Sequence, residues 1–130
     1  MITYKTNVTP TGEAVVALYK SAGLNRPHDA ERMNDIYANS NLIITAWENE
    51  ELIGVSRSIT DFHWSCYLAD LAVRKDYQQS GIGRKLLNMT KEYLGDKCML
   101  LLLSAPAAMG YYPKLGMETV NNGFIINRKV

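Results

Sequence analysis

The chain has too little cysteine for a disulfide framework. Cys66 and Cys98 are its only two in 130 residues. Each sits in an apolar, strand-like stretch, and both read as free, buried thiols of a reducing compartment. An excess of one charge is also lacking. With 14 Lys and Arg against 13 Asp and Glu, the net charge is +1, which offers no broad field to nucleic acid or to an anionic membrane. Long apolar runs are absent. The longest, Cys98 to Leu103, is far too short to cross a bilayer, and the first residues, Met1 to Lys5, hold no apolar signal core. Histidine is scarce, with His28 and His63 alone. His63 and Cys66 have ligand-like spacing but no matching second pair, and zinc normally takes three or four ligands. These absences point to a cytoplasmic domain without a metal, a membrane segment or a nucleic-acid partner.

What is present suits one compact domain, residues 1–130. Hydrophobic residues make up 47% and charged residues 21%, ordinary values for a globular protein. Ile2 to Lys5 predicts a short strand. A helix starts at Thr11 or Gly12, carries Val15, Val16, Leu18 and Tyr19 at helical spacing, and stops at Gly23. Pro27 and Asp29 open a second helix through Met33, Ile36 and Tyr37. Leu42 to Trp47 and Leu52 to Ile59 read as a hairpin around Glu48-Asn49-Glu50. Ser65 to Val73 is a longer strand. A helix with Ile82, Leu86, Leu87, Met89, Tyr93 and Leu94 on one side ends at Gly95. Met99 to Leu103, continuously apolar, predicts a central strand covered on both faces. A short helix is expected near Ala107 to Leu115. Met117 to Val120 and Phe124 to Arg128 predict a closing hairpin around Asn121-Asn122-Gly123. The fold class is therefore α/β, a sandwich with a mixed sheet.

The most informative segment runs from Leu71 to Leu87: a buried strand, a polar turn with Gly81 and Gly83, then an amphipathic helix. The first N–H groups of a helix lack intrahelical partners, and the macrodipole adds positive character there. Gly81 and Gly83 let a ligand approach the backbone. Arg84 and Lys85 in the first turn oppose the dipole, and a bound anion offsets that repulsion. A Gly-rich turn that simply starts a helix is the alternative. No P-loop is present, and Leu86 stands where a dinucleotide fingerprint needs a small third residue.

Gln78-Gln79-Ser80-Gly81-Ile82-Gly83 resembles the Q/R-x-x-G-x-G/A motif of the GNAT (GCN5-related) N-acetyltransferase superfamily. Ala107 to Met117 is similar to that family's A-x-x-x-[FY]-Y-x-K-[LF]-G-[FM] signature, at about the family's spacing. The resemblance covers roughly Tyr67 to Met117 and implies a GNAT-like fold, a mixed, mostly antiparallel central sheet flanked by helices. It implies acetyl-CoA as acyl donor, with Leu71, Ala72 and Val73 along the pantetheine arm. Gln78, Gln79, Ser80, Gly81, Ile82, Gly83, Arg84 and Lys85 would surround the pyrophosphate. A backbone N–H near Leu71 would polarise the thioester, an oxyanion-hole logic.

The family's catalytic tyrosine maps onto Tyr112, whose phenol is protonated at neutral pH and can donate to the leaving thiolate. Tyr111 is its rival and reads as a packing residue. Pro113 departs from the Glu often found there and predicts a short or irregular helix. Asp70 stands where the family often carries an acid. It is either a general base or a structural partner facing away. His63 belongs to a surface turn, and Trp47, Phe62, Trp64 and Tyr67 are acceptor-pocket or core aromatics. The implied reaction is direct acetyl transfer in a ternary complex to a primary amine, of a small molecule or of a protein or peptide. The resemblance also implies a homodimer. A non-catalytic acyl-CoA-binding or sensing module, and an interaction domain that uses the scaffold and binds no CoA, are the other functional readings.

Overall fold

The computed structural model describes residues 1–130. Five strands and three helices follow one another as β1 (Ile2–Lys5), α1 (Gly12–Ala22), α2 (Ala30–Ala38), β2 (Leu42–Glu48), β3 (Glu51–Thr60), β4 (Ser65–Val73), α3 (Ile82–Leu94) and β5 (Met99–Leu101). The sheet keeps chain order, β1-β2-β3-β4-β5. Its neighbours are antiparallel except β4 and β5, which are parallel. No helix is long and apolar enough to cross a membrane.

Alternation along the strands divides the interior in two. On one face, Val15, Leu18 and Tyr19 of α1 and Met33 and Tyr37 of α2 pack over Ile43, Leu52, Val55 and Ala72. On the other, Ile82, Leu86 and Leu94 of α3 pack over Leu42, Ile44, Ala46, Ile53 and Cys66. The helix starts read from sequence hold. Thr11 Oγ1 accepts the Ala14 N–H at 3.2 Å and Asp29 Oδ1 accepts the Arg32 N–H at 3.1 Å. Each satisfies one of the donors a helix start leaves open.

The two N-terminal helices meet at Gly12. Its N–H donates to Asn34 Oδ1 at 2.6 Å, and a Cβ placed there would lie 2.0 Å from the Ala30 carbonyl oxygen. Alanine gains about 1 kcal/mol of helix propensity over glycine. A backbone oxygen that close decides the sign against it. Gly12→Ala is expected to destabilise by roughly 1–3 kcal/mol, the usual range for overpacking, and to lower the thermal midpoint by several degrees. An unchanged midpoint would show that α2 can back away freely.

The C-terminal quarter departs from expectation. β5 is three residues long and lies at the sheet edge, not at its centre. Met99, Leu101 and Leu103 are exposed. Residues 117–130 form no strand, so the expected closing hairpin is absent and nothing covers the outer edge of β5. A two-stranded hairpin is marginal without a third strand or an apolar surface beneath it. The helix expected over Ala107 to Leu115 is two 3₁₀ turns, Pro106–Ala108 and Tyr112–Leu115. Pro106 and Pro113 stand in the first turn of their segments, where a missing N–H costs nothing. Pro113 would interrupt one continuous helix through 107–115, and left-handed Gly116 ends the second turn. Of the two thiols, both free, Cys66 is buried and Cys98 is only half-buried.

Candidate active site

The site begins where two parallel strands part. β4 pairs with β5 only through Ser65, Cys66 and Tyr67, yet it continues along β3 to Val73. Past Tyr67, the edge of β4 away from β3 is open. The Ala69 carbonyl there accepts from Arg26 Nη2 at 3.1 Å, and the Val73 carbonyl accepts from Gln78 Nε2 at 2.9 Å. Peptide groups of alternate strand residues point to the same edge. Leu71, midway between those two, turns its N–H and C=O into the gap.

The turn after β4 presents an unusual run of donors. From Gln79 to Arg84 no backbone N–H bonds another backbone group, and the first such bond of the helix is Lys85 N–H to the Gly81 carbonyl, 3.0 Å. Gln79 has φ 64° and Gly81 φ 88°. Positive φ at these two closely spaced residues folds the turn back on itself and leaves its N–H groups without backbone partners, the kind of backbone that can form an anion-binding concavity, or nest. The N-cap position is Gly81, which has no side chain to satisfy those donors. Open space surrounds it: a Cβ built there meets nothing within 4 Å.

The nest and the open strand edge share one cleft of about 470 Å³. Leu71 and Val73 form one wall. Gln78, Gln79, Gly81, Ile82, Gly83 and Arg84 of the turn and helix start line it too, as do Tyr111 and Tyr112. The two tyrosine rings meet edge to face, 5.2 Å apart at 71°. The Tyr111 hydroxyl lies over Gly83, 2.8 Å from where a Cβ would be, so a larger residue there would push the hydroxyl aside. Burial raises the Tyr112 phenol above its ordinary pKa, with Tyr111 adding to the effect. Burial likewise raises Tyr111, against a smaller lowering by Arg84.

The chain matches the model of the Acetyltransferase (GNAT) family over residues 13–117. It belongs to the GNAT acetyltransferase family. At 24% identity and a TM-score of 0.85, it is similar to a protein from meticillin-resistant Staphylococcus aureus named as a probable acetyltransferase. That match covers 98% of this chain and 100% of the other. A GNAT family acetyltransferase from Streptococcus pneumoniae is 25% identical, with a TM-score of 0.80 over 99% and 100% of the two chains. An aminoglycoside N-acetyltransferase in complex with CoA shares the fold at 14% identity, with a TM-score of 0.73 over 100% and 96%. No curated protein matches at the sequence level.

Within this GNAT domain, three residues expected around the cofactor lie outside the cleft lining. Ala72 is buried under α1 on the opposite face. The Ser80 hydroxyl turns back to the Tyr77 carbonyl. The Lys85 ammonium sits 5.5 Å over the Tyr4 ring. Tyr77 and Ala108 line the cleft and were not singled out from sequence. The aromatics considered for an acceptor pocket do not reach it. Trp47 packs on the α1 side, Phe62 stacks on Tyr93, and Trp64 and Tyr67 are exposed. His63 is exposed in a turn held by Asp61, whose carboxylate accepts the N–H groups of His63, Trp64 and Ser65. Those three bonds draw its pKa down to about 2.

Asp70 occupies a dense polar cluster on the α1 and α2 side of β4. Its Oδ1 accepts from Arg26 Nε at 2.7 Å. Its Oδ2 accepts from Arg57 Nε at 2.7 Å and from the Tyr19 hydroxyl at 2.8 Å. Tyr19 in turn shares a 2.5 Å hydrogen bond with Tyr37, and Arg57 also donates to Ser40 Oγ. Burial raises both phenols, so they remain protonated donors. Single-sequence reading had no means of finding Arg26 and Arg57, because the cluster joins a loop, two helices and two strands distant in the chain.

Proposed function

We propose that this GNAT protein transfers the acetyl group of acetyl-CoA to a primary amine, by direct attack in a ternary complex. The observation that carries the reading is the run of unpaired N–H groups from Gln79 to Arg84, opening into the same cleft as the free edge of β4 and Tyr112. The nest suits a pyrophosphate, which needs several converging donors. The free peptide edge suits the pantetheine amides, which would pair with it like an added strand. When bound, acetyl-CoA supplies an activated thioester. In this reading the Leu71 N–H stabilises negative charge on its carbonyl oxygen, and the Tyr112 hydroxyl gives a proton to the departing sulfur. No nucleophilic side chain is required. Burial raises the Cys66 thiol, which keeps it unreactive, and it belongs to the core.

Thermal unfolding with acetyl-CoA, with ATP and NAD as controls, tests the donor. A ligand confined to the folded state stabilises by about 2.7 kcal/mol at a hundredfold excess over Kd. In a domain this size that raises the midpoint by several degrees. A rise with acetyl-CoA alone, followed by turnover on a panel of amines, is the expected result. A rise without turnover on any amine would mark an acyl-CoA-binding module. No rise at millimolar acetyl-CoA would remove the donor assignment.

A further inference from the structure

Arg26 stands in the loop between α1 and α2, outside the lining of the cleft, and no step of the proposed transfer uses it. Each of its guanidinium nitrogens donates. Nε bonds Asp70 Oδ1 at 2.7 Å, Nη1 the Asn25 carbonyl at 2.8 Å and Nη2 the Ala69 carbonyl at 3.1 Å. One side chain thus ties its own loop to two consecutive residues of β4. On Asp70 it holds a carboxylate, and on Ala69 the main chain itself.

That stretch of main chain is irregular. Along the β3–β4 ladder Arg57 pairs with Asp70 and Ser58 with Leu68, so Ala69 is an extra residue without a partner in β3. One extra residue reverses the alternation of everything beyond it. Cys66 and Ala72 are an even number of positions apart and would share a face in a regular strand. They lie on opposite faces, Cys66 with α3 and Ala72 with α1. The same reversal carries Asp70 to the α1 and α2 side, where Tyr19 meets it, and turns Leu71 and Val73 to the cleft. The bulge follows Tyr67, the last β4 residue paired with β5. It therefore separates the paired part of β4 from the free edge at Leu71.

A bulge disrupts the ladder locally, so the extra peptide is held less firmly than its neighbours. Here a contact from outside the sheet holds it. The planar guanidinium fixes two directions at once. Its Nη2 takes the carbonyl of the Ala69–Asp70 peptide and its Nε takes the side chain that follows that peptide. The next peptide along the chain carries the Leu71 N–H. We infer that Arg26 is a positioning residue for that N–H. It clamps the Ala69–Asp70 peptide of the bulge and so fixes the aim of the peptide that follows. The effect on rate rests on the acetyl-transfer reading, and the effect on structure does not. Neither asks Arg26 to touch a substrate.

Arg26→Lys and Arg26→Gln test this. Asp70 keeps Arg57 and Tyr19 in both variants, so both should fold. Lysine retains the charge but not the fork. A misplacement of about 1 Å can cost a hundredfold in rate. With acetyl-CoA and the amine that the native protein turns over fastest, kcat should fall roughly tenfold or more in both variants. KM for each substrate and the midpoint rise with acetyl-CoA should be kept. Crystal structures without ligand should show the Ala69–Asp70 peptide turned from its native orientation. Native kcat in Arg26→Lys would mean that charge alone suffices, which overturns the clamp. A loss confined to KM for the amine would put Arg26 in acceptor binding and overturn it equally. If the native protein turns over no amine, the acetyl-transfer reading fails by itself and the crystal structures still decide. An unmoved Ala69–Asp70 peptide in Arg26→Gln then overturns the inference.

Discussion

Asp70→Asn is expected to cost about 3 kcal/mol of folding stability, near the lower end of the range for breaking a buried ion pair from one side. The size follows from what remains. The carboxylate is 2% exposed and accepts from two guanidinium groups and a phenol. With an amide in its place, Arg57 keeps a charge beside the Tyr37 ring with no anion to meet it. Arg26, a third exposed, turns more easily to water and limits the loss. Urea unfolding checks this: the midpoint should fall with the slope unchanged. We propose that Asp70 acts as an anchor that holds α1, α2 and β3 against β4 directly beside Leu71. As an anchor, it leaves the shape of the rate-versus-pH profile intact in folded Asp70→Asn protein. A variant of normal stability that loses the acidic limb of that profile would make Asp70 the general base instead.

Tyr112→Phe is expected to lower kcat about a hundredfold, the lower part of the range for a positioned proton donor. The midpoint rise with acetyl-CoA should be kept, because the nest and the β4 edge are untouched. Tyr111→Phe, beside it in the same cleft, should retain most of the rate. Burial raises the Tyr112 phenol. A raised pKa keeps the proton on at higher pH, so any basic limb due to Tyr112 lies above the usual phenol value of about 10. A Tyr112→Phe rate within threefold of the native protein would remove the donor role. A large loss in Tyr111→Phe alone would move the role one residue back.

The local features of this protein were legible in its sequence because they rest on short-range physics. Thr11 and Asp29 cap helices through neighbouring N–H groups. The β2–β3 hairpin follows from two apolar runs around a polar turn. Gly81 and Gly83 at the start of a helix mark a run of N–H groups without backbone partners, since free donors and a missing Cβ are properties of a few consecutive residues. The order of elements, and with it the mixed sheet, followed from the same periodicities.

Only the tertiary structure decided the rest, because it depends on what distant segments place next to one another. Asp70 could be read as a base or as a partner until Arg26, Arg57 and Tyr19 were seen around it. Ala72 and Lys85 belong to the same motif by position, but the pleat and the helix turn carry them away from the cleft. The apolar run from Met99 has the composition of a central strand, and composition cannot say whether a neighbour arrives to cover it. In this chain none does. That outer edge of β5 and the segment 118–130, which makes no backbone–backbone hydrogen bond, are consequences of packing, which no local pattern contains.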